Sequence, residues 1–453
     1  MPESVFKKLG GNGSFSEEKR ASSLKNLVRS ADTSKERRLR FDVGWIRPTV
    51  RAKAPVRRAE RGETMTESSQ RWLGVGRSAD VDARTAAGDA TNAALIRRDA
   101  KLLIVFCSDS YDLHDLLSGV DATAPGVPLI GCSTAGEIAT GGPGDASIVV
   151  VALGGDGFSV ATAAATGAAE GLRNASAEVA TCIERIENKP HRVLLMLSDG
   201  LAGDQQEVVR GAYGVAGASI PLVGGCAGDD LKMKSTLQLH DRTVLRNSIV
   251  AAAIGSDAPM GIGVRHGWRK VGEPMLVTSS STNRVYTLDD EPALDAYLRR
   301  LNAPNAARSD AAAFTQFALT HPFGLTRRSG EEVRFIAEAN FDDRSIGCIA
   351  EVPQGGLTWL MEGDDESVLA ATEAACTDAL ASLGDHEPIG LLAFDCIARR
   401  GVLGDDGIRR EVADIGRLAR GAPVAGFYTY GEFARTRGLS GFHNQTLVVL
   451  AVT

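Results

Sequence analysis

Aromatic residues are scarce in this chain, at 5% of its 453 positions, so its interior has to be built mainly from aliphatic side chains. Long apolar runs are missing too. Runs such as "SIVVVAL" from Ser147 and "LLMLS" from Leu194 fall far short of the ~18 residues a membrane-crossing helix needs. The N-terminus lacks the apolar centre of a secretory signal. These absences predict a cytoplasmic protein with no membrane partner. The seven cysteines, Cys107, Cys132, Cys182, Cys226, Cys348, Cys376 and Cys396, stand at long intervals without a CxxC. That leaves no basis for a disulfide framework or a zinc cage. No HExxH, GxSxG, P-loop or GxGxxG fingerprint is present either.

What is there is globular. With 43% apolar residues, a chain of this length buries one large core or two to three ordinary domains. The net charge of -7 conceals an asymmetry. Residues 1–65 hold sixteen Lys and Arg against eight Asp and Glu, a net +8, so the remainder carries -15. The head lacks apolar periodicity, and globular patterning begins at "MTESSQRWLGVG" from Met65. Residues 1–64 therefore read as a disordered extension or a mis-called start, not as a nucleic-acid arm.

A phrase then recurs. "VPLIGCSTAGEI" (127–138), "IPLVGGCAGDDL" (220–231) and "APVAGFYTYGEF" (422–433) share a proline, an apolar pair, a glycine, a short stretch, a second glycine and an acid. An apolar strand precedes each copy, beginning at Lys101, Arg192 and Pro388, and closes on Asp109, Asp199 or Asp395. A helical segment separates strand from proline, and another strand follows the acid. The repeated unit is strand, helix, strand, loop, strand. Its crossovers need parallel strands, whereas dense stretches such as "ASIVVVALGGDGFSVATAAA" favour antiparallel ones. The expected fold is α/β, with mixed parallel and antiparallel sheets covered by helices at 82–99, 174–187, 291–301 and 365–384.

The acid after the second glycine singles these loops out. A carboxylate there can tie down open backbone N–H groups or answer a cationic ligand. In "GCSTAGE" it also stands where a phosphate loop would need lysine. The candidate ligand site comprises Gly131, Cys132, Ser133, Thr134 and Glu137 of the first copy and Asp229 of the second. The third copy adds Tyr430, Gly431 and Glu432, with His443 and Asn444 at the rim.

"PLIGCSTAGEI", "PLVGGCAGDD", "VRHGW" with "VTSSSTNRVYTLDDEPALDAYL", and "GFYTYGEFA" with "GFHNQTLVVLAV" resemble the two halves of a FIST protein, a sensory module of signal transduction. The resemblance runs from about Leu73 to the end. It implies a FIST N-terminal region at 65–292 and a FIST C-terminal region at 293–453. It further implies a non-catalytic sensor of a small molecule, an amino acid or similar. A subset of such proteins senses nitric oxide through haem. No kinase, cyclase or methyl-accepting segment follows, so the signal is expected to reach a separate protein such as a histidine kinase or a cyclic-dinucleotide enzyme. For the haem alternative, His266 is the candidate iron ligand, because Trp268 beside it offers an aromatic wall; its other reading is a strand-end histidine. A cysteine-dependent enzyme at Cys132 or Cys226 is the remaining alternative, and it lacks a neighbouring histidine in the sequence.

Overall fold

The computed structural model describes residues 71–327, 330–436 and 439–453; the basic head lies outside the described residues. The chain opens with β1 (Trp72–Ser78), α1 (Ala83–Ala94), β2 (Ala100–Ser108), α2 (Leu113–Thr123) and β3 (Leu129–Thr134). A short hairpin of β4 (Glu137–Ala139) and β5 (Gly142–Gly144) leads to β6 (Ile148–Gly154). The helix starts are local. Asp82 accepts the amide of Thr85 at the head of α1, and Asp112 accepts those of His114 and Asp115 at the head of α2, which satisfies amides the first turn leaves free. Small residues let α1 lie directly on its strand: a Cβ on Gly74 or Gly76 would come within 2.0 Å of the carbonyl of Ala94 or Ala90.

The second stretch contains β7 (Phe158–Thr166), α3 (Ala168–Ala180), β8 (His191–Ser198), α4 (Gln206–Ala216) and β9 (Leu222–Cys226). It continues through the hairpin of β10 (Gln238–His240) and β11 (Thr243–Leu245) to β12 (Ser248–Ser256) and β13 (Met260–Arg265). A further antiparallel sheet follows, of β14 (Arg269–Ser281), β15 (Arg284–Leu288), β16 (Glu291–Pro292), β17 (Phe323–Arg327), β18 (Gly330–Arg334), β19 (Ile336–Ala339), β20 (Ile346–Cys348) and β21 (Leu357–Glu362). Within it lie α5 (Ala293–Arg300) and α6 (Ala311–Ala318). The last stretch is α7 (Asp365–Ala381), β22 (Gly390–Cys396), α8 (Ile397–Leu418), β23 (Val424–Thr429), the hairpin of β24 (Glu432–Thr436) and β25 (Leu439–His443), and β26 (Leu447–Val452).

Three six-stranded sheets share one order: β1-β6-β2-β3-β10-β11, β7-β12-β8-β9-β24-β25 and β13-β26-β22-β23-β4-β5. In each, a parallel pair sits at the centre (β2·β3, β8·β9, β22·β23) and the flanking strands run antiparallel. The fold is thus α/β with mixed sheets covered by helices. Between each phrase and the strand that completes its unit the chain forms a hairpin, which the sequence reading did not expect, and the hairpin leaves its own sheet to extend another. Strands from both sides of residue 293 consequently share sheets. The inner faces of all three sheets meet in one apolar core. At its centre Phe106 lies 4.8 Å from Phe427 and Phe394 lies 5.9 Å from Phe427, measured between ring centroids.

Candidate functional site

The acids of the recurring phrase point inward. Glu137 is 1% exposed. Its Oε1 accepts from the Thr134 hydroxyl at 2.5 Å, and its Oε2 from the Ser147 hydroxyl at 2.6 Å and the Ser147 amide at 3.1 Å. Glu432 repeats this: Thr429 Oγ1 donates to Oε1 at 2.6 Å and the Thr446 amide to Oε2 at 3.2 Å. Each carboxylate therefore clasps an outgoing hairpin back to the strand that follows it. Burial pushes Glu137 up from its usual 4.5 to about 7, and pushes Glu432 up as well. The expected cationic ligand at Glu432 has no approach to this enclosed carboxylate.

Asp229 is not the counterpart of these glutamates. Glu137 stands opposite Phe427, Glu432 opposite Gly225, and the residue opposite Cys132, at the matching point of β3, is Gln238. Gln238 makes the matching bond, accepting from the Ser248 hydroxyl at 2.7 Å. Asp229 instead ties an inserted loop, accepting from the amides of Met233, Lys234 and Ser235 and from the Tyr430 hydroxyl. The first glycine of each phrase serves close packing: a Cβ on Gly131, Gly224 or Gly426 would lie 2.5, 1.9 or 1.8 Å from the carbonyl across the parallel pair. Gly431, at φ +147, has Phe442 against its α-carbon face. Cys132 is core, and Ser133 bridges the Gly228 carbonyl and the Leu237 amide. His443 is buried, its ring Nε2 at 3.2 Å from the Ala434 carbonyl, with burial holding its pKa down.

Two of the sequence-read residues, Tyr430 and Asn444, do meet at a cavity. It measures about 60 Å³ and is lined mainly by apolar side chains, among them Met233, Phe335, Ile349, Ile397 and Phe442, together with Cys396, Ala398, Gln205 and two glycines, Gly200 and Gly203. It adjoins a larger polar cleft of about 780 Å³ that carries Asp204, Arg210, Lys234, Asn283 and Glu351. Gly200, Gly203, Met233 and Ile349 belong to both spaces. Asn444 is 1% exposed, and its Oδ1 has no hydrogen-bond partner. A buried polar atom left unpaired is costly, and this oxygen is itself shut off from the cavity that Asn444 borders. The remaining lining residues carried no sequence signal, since each is an ordinary apolar or small residue until the fold assembles them.

The surroundings of His266 do not fit a haem. Its Nδ1 accepts the Trp268 amide at 3.0 Å, and burial lowers its pKa to about 4. Trp268 is buried, with its indole N–H given to the Gln445 carbonyl. A Cβ on Gly267 would already stand 2.6 Å from the Ser367 carbonyl. Neither residue lines the cavity or the cleft. Among the described residues no cluster of three or more His, Cys, Asp or Glu could hold a metal ion. Cys132 and Cys226 are buried with thiols pushed up by burial, opposite to the shift an active nucleophile needs.

Comparison with known proteins places these features in a family. The FIST N domain model matches residues 101–291 and the FIST C domain model residues 293–435. An uncharacterised protein of Mycobacterium tuberculosis is 24% identical over 385 residues, covering 83% of this chain and 97% of that protein. An uncharacterised protein of Methanocaldococcus jannaschii is 23% identical over 189 residues; the match covers 40% of this chain and spans only 36% of that protein's length. Among solved structures, a cyanuric acid hydrolase from A. caulinodans aligns at 11% identity and a TM-score of 0.26, over 41% of this chain and 71% of its own, a likeness too slight to bear on fold or activity. With its N and C domains in tandem, the chain belongs to the FIST family of small-ligand sensory domains in signalling.

Proposed function

We propose that this protein senses a small molecule held in the cavity at the start of α8 and relays its occupancy to a separate signalling protein, such as a histidine kinase or a cyclic-dinucleotide enzyme. The observation that carries this reading is a mainly apolar cavity bordered by Gln205, Tyr430 and Asn444, which shares Gly200, Gly203, Met233 and Ile349 with a polar cleft. Binding sites combine an apolar enclosure with a few placed polar groups, and this arrangement matches that description. The reading is of a binding protein and not an enzyme. Of the seven thiols only Cys396 touches the cavity, and burial together with the nearby Glu432 charge drives its pKa up.

A thermal-shift screen of metabolites tests it. Some compound should raise the melting temperature of the wild type above its own unliganded value, and fail to raise that of Ile349→Trp above its own, because the larger ring intrudes on the cavity. The reading is abandoned if no compound separates the two proteins.

A further inference from the structure

Helix α8 is interrupted at Gly404, where φ is +61 and ψ is -177. Arg399 lies before the break and Glu411 after it. Arg399 Nη2 donates to Glu411 Oε1 at 2.6 Å, and its Nε donates to Asp395 Oδ1, at the end of β22, also at 2.6 Å. From α7, the Thr372 hydroxyl lies 2.6 Å from the same Glu411 oxygen. The three ionisable side chains are at most 1% exposed. One guanidinium therefore serves two carboxyls, and it reaches one oxygen of each. Asp395 Oδ2 and Glu411 Oε2 have no donor.

The neighbouring charges are taken up elsewhere. Arg400 turns to Asp145 at 2.7 Å and to the Ala135 carbonyl at 3.0 Å, Arg265 pairs with Asp378 at 2.6 Å, and Arg417 pairs with Asp414 at 3.3 Å. His266, whose carbonyl accepts from Arg399 at 3.4 Å, is held down to about 4 by burial. Burial raises Glu432 of β24 to about 8 and the Cys376 thiol of α7 to about 12. It pushes up Cys396 and Tyr428 as well, and the Tyr428 hydroxyl has no partner. Two bare carboxylates on one guanidinium would leave a net negative charge in a site without water, which is costly. Ionised carboxylates only accept, so the two free oxygens can bond to each other only through a proton. The two carboxyls lie within hydrogen-bond reach of each other, and burial and the Glu411 charge hold Asp395 well above the usual carboxylate range, against the pull of Arg399.

We propose that Asp395 and Glu411 share one buried proton, and that this proton and Arg399 together lock the second arm of α8 across the break at Gly404. The pair then carries a single negative charge, which matches the guanidinium. Above the ordinary aspartate value of 3.8, the folded chain holds a proton that the unfolded chain has released. The lock is therefore strongest at low pH and weakens as pH rises toward and through the folded-state value. Once the proton leaves, two adjacent carboxylates repel, and residues 405–418 are released. A Cβ at Gly404 would meet nothing within 4 Å, so the hinge has room to turn.

The experiment uses the full chain and three variants: Asp395→Asn, Glu411→Gln and the two together. A side-chain amide offers an N–H where the shared proton stood, so each single variant should keep the lock and lose its pH dependence. In urea unfolding between pH 5 and pH 8, the folding constant of the wild type should fall relative to that of Asp395→Asn by up to about tenfold per pH unit, the signature of one proton. Hydrogen exchange read by mass spectrometry should diverge in the same way over residues 405–418, with the ratio of wild-type to variant exchange rising with pH. The double variant leaves Arg399 without a counter-ion and should have a folding constant at least about a hundredfold below either single variant. Parallel pH dependences of the wild type and Asp395→Asn would show that no proton is held there and overturn the proposal. A divergence in unfolding that is missing from the exchange of residues 405–418 overturns the lock on the arm. A double variant as stable as the single ones overturns the pairing with Arg399. Glu411→Gln carries the same comparison with the wild type if Asp395→Asn fails to fold.

Discussion

Glu137→Gln is the sharpest probe of the clasp that holds the hairpins. In the fold, burial raises the Glu137 carboxyl from its ordinary 4.5 to about 7, against the opposing pull of the donors from Thr134 and Ser147. Between those two values the folded chain keeps a proton that the unfolded chain has already released. Stability therefore falls as pH rises through this window and is lowest above pH 7. The rise from 4.5 to about 7 corresponds to about 3 kcal/mol. Glutamine carries no such penalty, and the protein already uses it: Gln238 takes the Ser248 hydroxyl at the matching place. Near pH 5, where the buried acid is neutral, the variant should lie within about 1 kcal/mol of wild type, the scale of one hydrogen bond. Near pH 8 it should be the more stable protein, by about 2–3 kcal/mol. Urea unfolding at the two pH values, with the slope unchanged between proteins, reads the difference directly. A gap that does not grow with pH would show that the carboxylate is charged in the fold and that its donors outweigh burial, which refutes the reasoning.

The other expectations follow from packing. Arg399 is fully buried and donates to Asp395 at 2.6 Å, to Glu411 at 2.6 Å and to Thr372 at 2.7 Å; Arg399→Met leaves two carboxylates unanswered and should cost about 3–5 kcal/mol in chemical denaturation. An unchanged midpoint would mean that those carboxyls are already neutral without it. Gly426→Ala would set a methyl 1.8 Å from the Ala393 carbonyl and should cost more than ~2 kcal/mol, whereas Gly214→Ala, in α4 with open space around it, should gain up to ~1 kcal/mol. Equal thermal shifts for the two glycines would contradict the close strand approach.

Much of the sheet skeleton was legible. The apolar strands ahead of each phrase became β2, β8 and β22, and the helix expected at 365–384 became α7 at Asp365–Ala381. Periodicity and turn residues suffice for these because their signals lie within one segment. The exchange of hairpins was not legible. β4 and β5 have three residues each, too few for a period to register, and the partner of Ile138 is Gly426, which nothing local specifies. The same blindness misassigned Asp229. Counting along the chain places the acid after the second glycine, but the ladder places Gln238 there, because an inserted loop separates the phrase from its hairpin. At the site, Tyr430 and Asn444 were read from polar residues near the last strand, while the apolar wall is made of Phe335, Ile349, Ile397 and Phe442, indistinguishable in sequence from any other core residue.

The position of the cavity bears on how occupancy would be read out. Its walls come from the end of β22 at Cys396, the turn after β8 at Gly200 and Gly203, the inserted loop at Met233, and the additional sheet at Phe335 and Ile349. Arg334 ties this edge of the sheet together, donating to Glu332 at 2.8 Å and to the Glu351 carbonyl at 3.1 Å. A ligand in the cavity therefore touches both the exchanged core and the sheet packed on it. Cys396 is followed by Ile397 at the head of α8, which breaks at Gly404, φ +61, and resumes toward the exposed Asp405 and Asp406. A ligand shifts a conformational equilibrium only by its difference in affinity between two arrangements, and the elements that can differ here are the additional sheet and the first arm of α8. Arg399 anchors that arm to α7 and to Glu411 beyond the break, so movement at the cavity is resisted by a buried ion network on one side of the helix. The additional sheet meets the head of α8 through apolar packing, Phe335 and Ala337 against Cys396 and Ala398. On the sensor reading, it is the side expected to move.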